Sequence, residues 1–179
     1  DPSFNVSGSG SDGLIKNAIV QSDHKIIIGG DFLHYNGVLV NRITRVLPDG
    51  SIDVSFNTGG VGFNSQVFGL ALQPDGKIIV GGNFTKFNGL SVNRIVRLLS
   101  DGTLDASFNI GLGSDNIVES VIVQPDGKIV VGGRFLTFNG ITHNRLVRLN
   151  MDGSVDVGFL TGLGFDNNVY CVEIQSDNK

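Results

Sequence analysis

One phrase constrains this chain more than anything else in it. "QPDGKIIVGGNF" occupies residues 73–84, "QPDGKIVVGGRF" occupies 124–135, and "QSDHKIIIGGDF" occupies 21–32. A fourth copy, "QSDNK", begins at 175. Other markers keep the same rhythm. Gly-Gly falls at 29–30, 81–82 and 132–133, and Asn-Arg at 41–42, 93–94 and 144–145. Asp-Gly followed by Ser or Thr starts at 49, 101 and 152, and a closing Phe stands at 4, 56, 108 and 159. Each series steps by 51 or 52 residues. Periods of this size belong to solenoids and propellers, in which each unit buries its apolar face on the next.

Within one unit the pattern is that of short strands. "SQVFGLALQ" leads into the turn "PDG", in which Pro presets φ, Asp bonds its own backbone and Gly takes positive φ. "KIIVGG" is a continuous apolar run, as in a strand covered on both faces. A loop with Asn88-Gly89 follows, then "NRIVRLL", the turn "SDG" and "TLDASFN", which is expected to be a fourth strand. No stretch keeps a 3.6-residue apolar period, and 26 glycines argue against helices. Four strands in about fifty residues match one propeller blade. A parallel β-helix is the runner-up, although its coils need fewer residues. The Gly pair suits convergence of blades near an axis. The boundaries are unit one with a preceding outer strand at 1–57, unit two at 58–109, unit three at 110–160 and a partial unit at 161–179.

Turn chemistry also sets register. A three-residue loop of a type I turn plus a glycine bulge puts Gln73 opposite Lys77, Leu70 opposite Val80 and Gly69 opposite Gly81. The same loop at "SDG" puts Leu99 opposite Thr103 and Arg97 opposite Asp105. The other units then pair Arg45 with Asp53 and Arg148 with Asp156. Three copies of one opposite-charge pair point to cross-strand partners, each worth about 0.2–1 kcal/mol.

Charge and composition exclude several classes. The thirteen basic residues are scattered and the net charge is −4, so neither a nucleic-acid groove nor an anionic-membrane surface is built in. Apolar runs reach about five residues, far below a membrane span. Cys171 is the one cysteine, which excludes an internal disulfide and a multi-cysteine metal site. The abrupt start at "DPSFN", with no initiator Met, suggests a piece of a longer chain.

These residues resemble a known family. "DGSIDVSFN", "QPDGKIIVGG", "FNG" and "NRIVRL" are similar to the delta-60 repeat, a bacterial and phage β-propeller-type repeat. The resemblance covers the whole chain. It implies a β-propeller, in keeping with the all-β reading of four-stranded antiparallel blades, of which the repeat count makes about three and a half present as an open partial propeller. It also implies a place in large surface or secreted bacterial proteins, or in phage structural proteins. The family carries no general catalytic residues to transfer. This chain departs from the pattern at "QSDHK" and at "GFL" in 158–160.

Residues that break the repeat are the natural place for a site, because the repeated ones serve every blade equally. His24, His34 and His143 have no ligand-pair spacing and read as loop residues. Asp49, Asp75, Asp101, Asp126 and Asp152 read as turn caps, since calcium loops need several alternating oxygen ligands. Arg42, Arg94 and Arg145 suit either an anion-gripping ring or a lock between blades, and the lock is preferred. Ser55 and Ser107 recur in "SFN" and read as structural. Cys171, in an apolar strand, reads as a buried small hydrophobe. "GLGSDN" lacks the Lys-Ser/Thr and the helix of a phosphate loop. Nine of the twelve Phe, with Tyr35, fall at repeated positions and read as core. Phe63 and Phe165 lie in inter-unit loops after Gly and are the candidate binding anchors, set against the commoner arrangement in which such a Phe folds back over the blade edge. Gly29, Gly30, Gly81, Gly82, Gly132 and Gly133, with the three Arg–Asp pairs, are assigned structural roles.

No catalytic residue, cofactor or metal is expected. The expected function is a non-enzymatic structural and interaction module of a larger bacterial surface or phage protein, located outside the cell, on its surface or in a virion. Expected partners are the remaining blades of a parent chain or neighbouring copies, with a protein or glycan as ligand. The alternatives are a carbohydrate- or protein-binding adhesin domain, and a fragment of a propeller enzyme whose site lies in other blades.

Overall fold

The computed structural model describes residues 3–175, and among them every regular element is a strand. Unit one holds β1 (Leu14–Val20), β2 (Ile26–Asp31), β3 (His34–Tyr35), β4 (Val38–Leu39) and β5 (Ile43–Val46). Unit two repeats this as β6 (Val67–Leu72), β7 (Ile78–Gly82), β8 (Lys86–Phe87), β9 (Leu90–Ser91) and β10 (Ile95–Leu98). Unit three holds β11 (Val118–Val123), β12 (Ile129–Gly133), β13 (Thr137–Phe138), β14 (Ile141–Thr142) and β15 (Leu146–Leu149). Each unit forms an antiparallel sheet, ordered β1-β2-β5, β6-β7-β10 and β11-β12-β15, plus a two-residue hairpin. The sheets stand side by side as propeller blades in an open arc, β6 packing against both β1 and β11.

The expected register holds. Leu70 stands opposite Val80 and Gly69 opposite Gly81. Gln73 N–H donates to the Lys77 carbonyl at 2.8 Å, and Leu99 N–H to Thr103 at 2.8 Å. Asn88-Gly89, the strong turn signal in that loop, is the turn of a two-residue hairpin, with Phe87 paired to Leu90 and φ values of 48° and 81°.

The fourth strand is a correction. In place of a ladder each unit makes one bridge, Val46 to Ile52, Leu98 to Leu104 and Leu149 to Val155. The chain then leaves its own sheet because "SFN" is drawn to the next unit. Asn5 N–H donates to the Asp49 carbonyl at 2.7 Å, Asn57 to Asp101 at 2.7 Å and Asn109 to Asp152 at 2.8 Å. The Gly of each receiving turn lies under the incoming segment. A Cβ on Gly102 would meet Phe56 Cε2 at 2.8 Å.

Both faces of each central strand are buried, which explains the unbroken apolar runs. Along β7, Ile78 and Val80 join Ile27, Ile43, Phe63, Val67 and Leu70 in one layer, while Ile79 joins Val118, Val121 and Phe135 in the next. The core therefore lies between blades. The first Gly of each Gly-Gly pair marks that seam. A Cβ on Gly81 would sit 2.5 Å from Val118 Cγ1, and one on Gly132 would sit 2.7 Å from Val169 Cγ1. Residues 168–175 run along unit three. Val169 N–H donates to Gly133 at 3.0 Å and Val172 N–H to Ser120 Oγ at 3.2 Å. Of the "QSDNK" copy, 176–179 lie outside the described residues, as do the first two residues of "DPSFN".

Gly81→Val and Gly132→Val should each lower stability by about 1–3 kcal/mol or more, because the seam has no room for a branched side chain. A urea titration showing no loss at either position would place these glycines away from the seam. His24 holds the turn position that Gly76 and Gly127 hold in the other units, at φ 64° against 82° and 83°. His24→Gly should therefore stabilise by about 1 kcal/mol, read as a higher denaturation midpoint.

Candidate functional site

The repeated charges gather at the ends of the blades that carry the "PDG" and "DGS" turns. Arg97 Nε bonds Asp105 Oδ2 at 2.8 Å, as Arg45 does Asp53 at 2.9 Å and Arg148 does Asp156 at 2.8 Å. The pairs are not isolated. Arg97 also donates to Gln73 Oε1 at 3.3 Å, to Ser107 Oγ at 3.2 Å and to the Met151 carbonyl of the next unit at 2.6 Å. Its guanidinium lies 4.7 Å from the Phe108 ring centre. Lys77 Nζ approaches Asp105 at 3.6 Å. Exchanging Arg97 and Asp105 would be cheap for an isolated pair. Here it would strand every one of these partners.

These carboxylates are held ionised. Burial works to raise the pKa of Asp105, but hydrogen bonds from Ser107 and Arg97 and the charge of Arg97 outweigh it and hold the pKa at about 2. For Asp156 the Lys128 hydrogen bond is the largest cause of a pKa of about 2. Burial likewise opposes the shift at Asp53, and Ser55, Lys25 and Arg45 drive it well below the usual carboxylate range.

Asn-Arg pairs work as the second lock. Arg42, Arg94 and Arg145 donate from Nη1 to the carbonyls of Phe63, Ser114 and Phe165 at 3.0, 3.2 and 3.2 Å. The preceding Asn41, Asn93 and Asn144 donate to the carbonyls of Val61, Leu112 and Leu163. The three arginines take φ values of 75°, 61° and 74°, a left-handed conformation that is costly for a side chain of this size.

Two sequence expectations need correction. Phe63 is not an exposed anchor but is 1% exposed, with its ring centre 4.2 Å from Phe84 and 4.5 Å from Phe87. The inter-unit loop folds back, bridging Phe63 to Phe87. Phe165, in the corresponding place after unit three, is 50% exposed. Cys171 is exposed rather than buried. Its counterpart Gly69 faces the next inner strand, where a Cβ would meet Val121 N at 3.0 Å.

The histidines stay apart. His24 is in the first turn, and His34 Nδ1 meets Asp12 Oδ2 at 2.7 Å. Hydrogen bonds from the His34 backbone and ring hold Asp12 at a pKa of about 2. Burial lowers the pKa of His143. Asp49, Asp75, Asp101, Asp126 and Asp152 each bond the N–H two residues on, as turn caps do. Among the described residues no group of three or more His, Cys, Asp and Glu is placed to hold a metal.

The residues that break the repeat converge elsewhere. The position after Gly-Gly reads Asp31, Asn83 and Arg134, the bulge that opens each inner strand reads Lys16, Phe68 and Glu119, and the corresponding sequence position after unit three is Tyr170. Both positions lie at the end of the inner strands opposite the "PDG" turns, since Leu14 pairs with Asp31 and the N–H groups of Asn83 and Arg134 bond Gln66 and Ile117. There Arg134 Nε contacts Glu119 Oε1 at 2.5 Å and its guanidinium lies 5.7 Å from the Tyr170 ring centre. Asp31 accepts from Gln66 of the next unit at 2.7 Å. This is a mixed-charge surface with guanidinium, amide and phenol groups. It suits recognition by hydrogen bonding and stacking. The signal was present in the sequence as one changing letter inside an otherwise constant phrase.

Comparisons agree with this architecture. The family described as Domain of unknown function (DUF5122) beta-propeller matches residues 21–56, 73–108 and 124–159. A gluconolactonase structure from Xanthomonas campestris aligns at a TM-score of 0.56 and 15% identity, over 96% of this chain and 55% of that one. A putative gluconolactonase aligns at 0.45 and 16% identity, over 84% and 50%. The extracellular domain of a putative hybrid two-component system from B. thetaiotaomicron aligns at 0.36 and 15% identity, over 86% and 22%. This chain thus spans about half the length of the two gluconolactonase-type structures. The first likeness is one of fold, and no curated protein sequence matches.

Asp105→Asn should cost about 3 kcal/mol near neutral pH, because it leaves a buried arginine without its counter-charge. The depressed carboxylate pKa values mean that the stability they confer is full above about pH 4 and falls as the pH drops towards 2. Melting curves across that window should decline steeply for the parent chain and less steeply for the variant. Parallel declines would remove Asp105 from the acid response.

Proposed function

Since the chain belongs to the Domain of unknown function (DUF5122) beta-propeller family, the delta-60 repeat family, we propose that it is a non-enzymatic structural and interaction module, part of a β-propeller in a larger bacterial surface or phage structural protein. The observation that carries this reading is the division of labour among its polar groups. The repeated Arg and Asn side chains bond the next blade, while the repeated Asp and Lys side chains are taken up in pairs within their own. The polar residues left over form a mixed-charge recognition surface around Asp31, Glu119, Arg134 and Tyr170. The partners are further blades, from the same chain or from a second copy. The leading inner strand supports this, since Leu14, Ile15 and Val20 are substantially exposed.

The adhesin reading differs in its ligand, and Tyr170 beside Arg134 is the feature that would serve it. Multi-angle light scattering on the 179-residue chain should show mass rising with concentration, and Ile15→Lys should reduce that rise. A glycan array should stay blank. A monomer at every concentration would defeat the assembly reading, and glycan binding lost in Tyr170→Ala would favour the adhesin.

A further inference from the structure

We propose that Asn139 is a site of spontaneous modification, at which the side-chain amide leaves as ammonia and an aspartate or isoaspartate remains. Three hairpin turns carry the same local chemistry. Each places an aromatic residue before Asn-Gly: Tyr35-Asn36-Gly37, Phe87-Asn88-Gly89 and Phe138-Asn139-Gly140. The asparagines take φ values of 48°, 48° and 53°, and the glycines 75°, 81° and 75°. Each glycine is exposed, and a Cβ added there would meet nothing within 4 Å, so the three turns are open to water alike. In each, the Asn Oδ1 accepts from a glycine of the loop that leads into its unit. Gly10 N–H donates at 2.8 Å, Gly62 N–H at 2.8 Å and Gly113 N–H at 2.9 Å.

The leaving nitrogen is held in two of the three. Asn36 Nδ2 donates to Asn5 Oδ1 at 2.8 Å, and Asn5 Nδ2 returns a hydrogen bond to Asn36 Oδ1 at 3.2 Å. Asn88 and Asn57 form the same clasp, at 2.7 and 3.4 Å. Asn109 stands at the matching place in "SFN", yet among the described residues neither it nor any other group accepts from Asn139 Nδ2. Loop length is the cause. Asn5 precedes Gly10 by five residues and Asn57 precedes Gly62 by five, whereas Asn109 precedes Gly113 by four. The shorter loop turns at a different place. Gly8 N–H bonds the Asn5 carbonyl and Gly60 N–H that of Asn57, but before unit three Gly113 N–H bonds the Ile110 carbonyl. Gly111 then lies beside the Asn139 amide, where a Cβ would sit 2.7 Å from its Oδ1.

The reaction needs only water. The Gly140 nitrogen attacks Asn139 Cγ, and a new C–N bond forms as the Cγ–Nδ2 bond breaks. The Gly140 N–H proton ends on the departing ammonia. Water then opens the cyclic imide at either carbonyl, giving aspartate or isoaspartate. Attack requires the Asn side chain to leave its hydrogen bonds and meet the next nitrogen. The clasp adds two hydrogen bonds to be broken at Asn36 and at Asn88, and none at Asn139. Isoaspartate lengthens the main chain of a two-residue turn, so Phe138 would lose its register with Ile141.

The test is ageing of the 179-residue chain in mildly alkaline buffer, followed by peptide mapping with mass spectrometry. Asn139 should convert at least tenfold faster than Asn36 and Asn88. In the chain unfolded by guanidinium chloride the three should convert at similar rates. Asn57→Ala removes the clasp from Asn88 and should raise its rate at least fivefold, while Asn36 stays slow and so reports that unit one is folded. If that variant does not fold, the ranking in the parent chain against the unfolded chain decides alone. Equal rates at the three sites in the folded chain would overturn the proposal. So would a lead for Asn139 that persists unfolded, since it would then belong to the local sequence. An Asn88 rate unchanged in a folded Asn57→Ala chain would overturn it as well.

Discussion

A buried guanidinium is the joint on which the rest of this fold depends. Arg97, 4% exposed, takes its counter-charge from Asp105 in its own blade and gives a hydrogen bond to the Met151 carbonyl in the next. Arg45 does the same with Asp53 and Ser100. Removing such a charge from water costs several kcal/mol, and a single partner rarely offsets that. Here the planar fork is met on several sides at once, by carboxylate, amide, hydroxyl, carbonyl and ring. The arrangement is satisfied only when two blades stand at one spacing and one angle. Hydrophobic burial supplies the attraction between blades, and the arginine selects the geometry.

That geometry explains the other repeated letters. Close approach at the seam excludes a side chain at Gly29, Gly81 and Gly132. The second Gly of each pair answers to its own sheet, where a Cβ would strike the carbonyl of Leu14, Gln66 or Ile117. The "SFN" segment crosses to the following turn, placing its Phe under the arginine and its Asn against the hairpin Asn of the following unit, as Asn57 does with Asn88. Each unit is thus unfinished without its neighbour, as in other repeat proteins.

The candidate site was legible in part. Its positions could be found by asking where the constant phrase changes, as at Asp31, Asn83 and Arg134. Sequence alone did not say that these letters share an end of the blades with Glu119 and Tyr170, because the bulge that presents Lys16, Phe68 and Glu119 carries no composition of its own. The fate of Phe63 was illegible for a related reason. A Phe after Gly in a loop has no periodicity to reveal whether it turns out or folds back, and only contact with Phe84 and Phe87 decides.

The sequence by itself determined the repeat, the all-β class, the hairpin register and the Arg–Asp pairing. Each of these follows from local chemistry: turn residues with defined φ, a side-chain period of two, and opposite charges at matched offsets. Tertiary structure decided what happens between units. It sent "SFN" to the next blade instead of completing a fourth strand, buried Phe63 and left Cys171 exposed. Those outcomes depend on contacts about fifty residues apart, where the competing partners for one backbone N–H lie on different blades and propensity cannot choose between them.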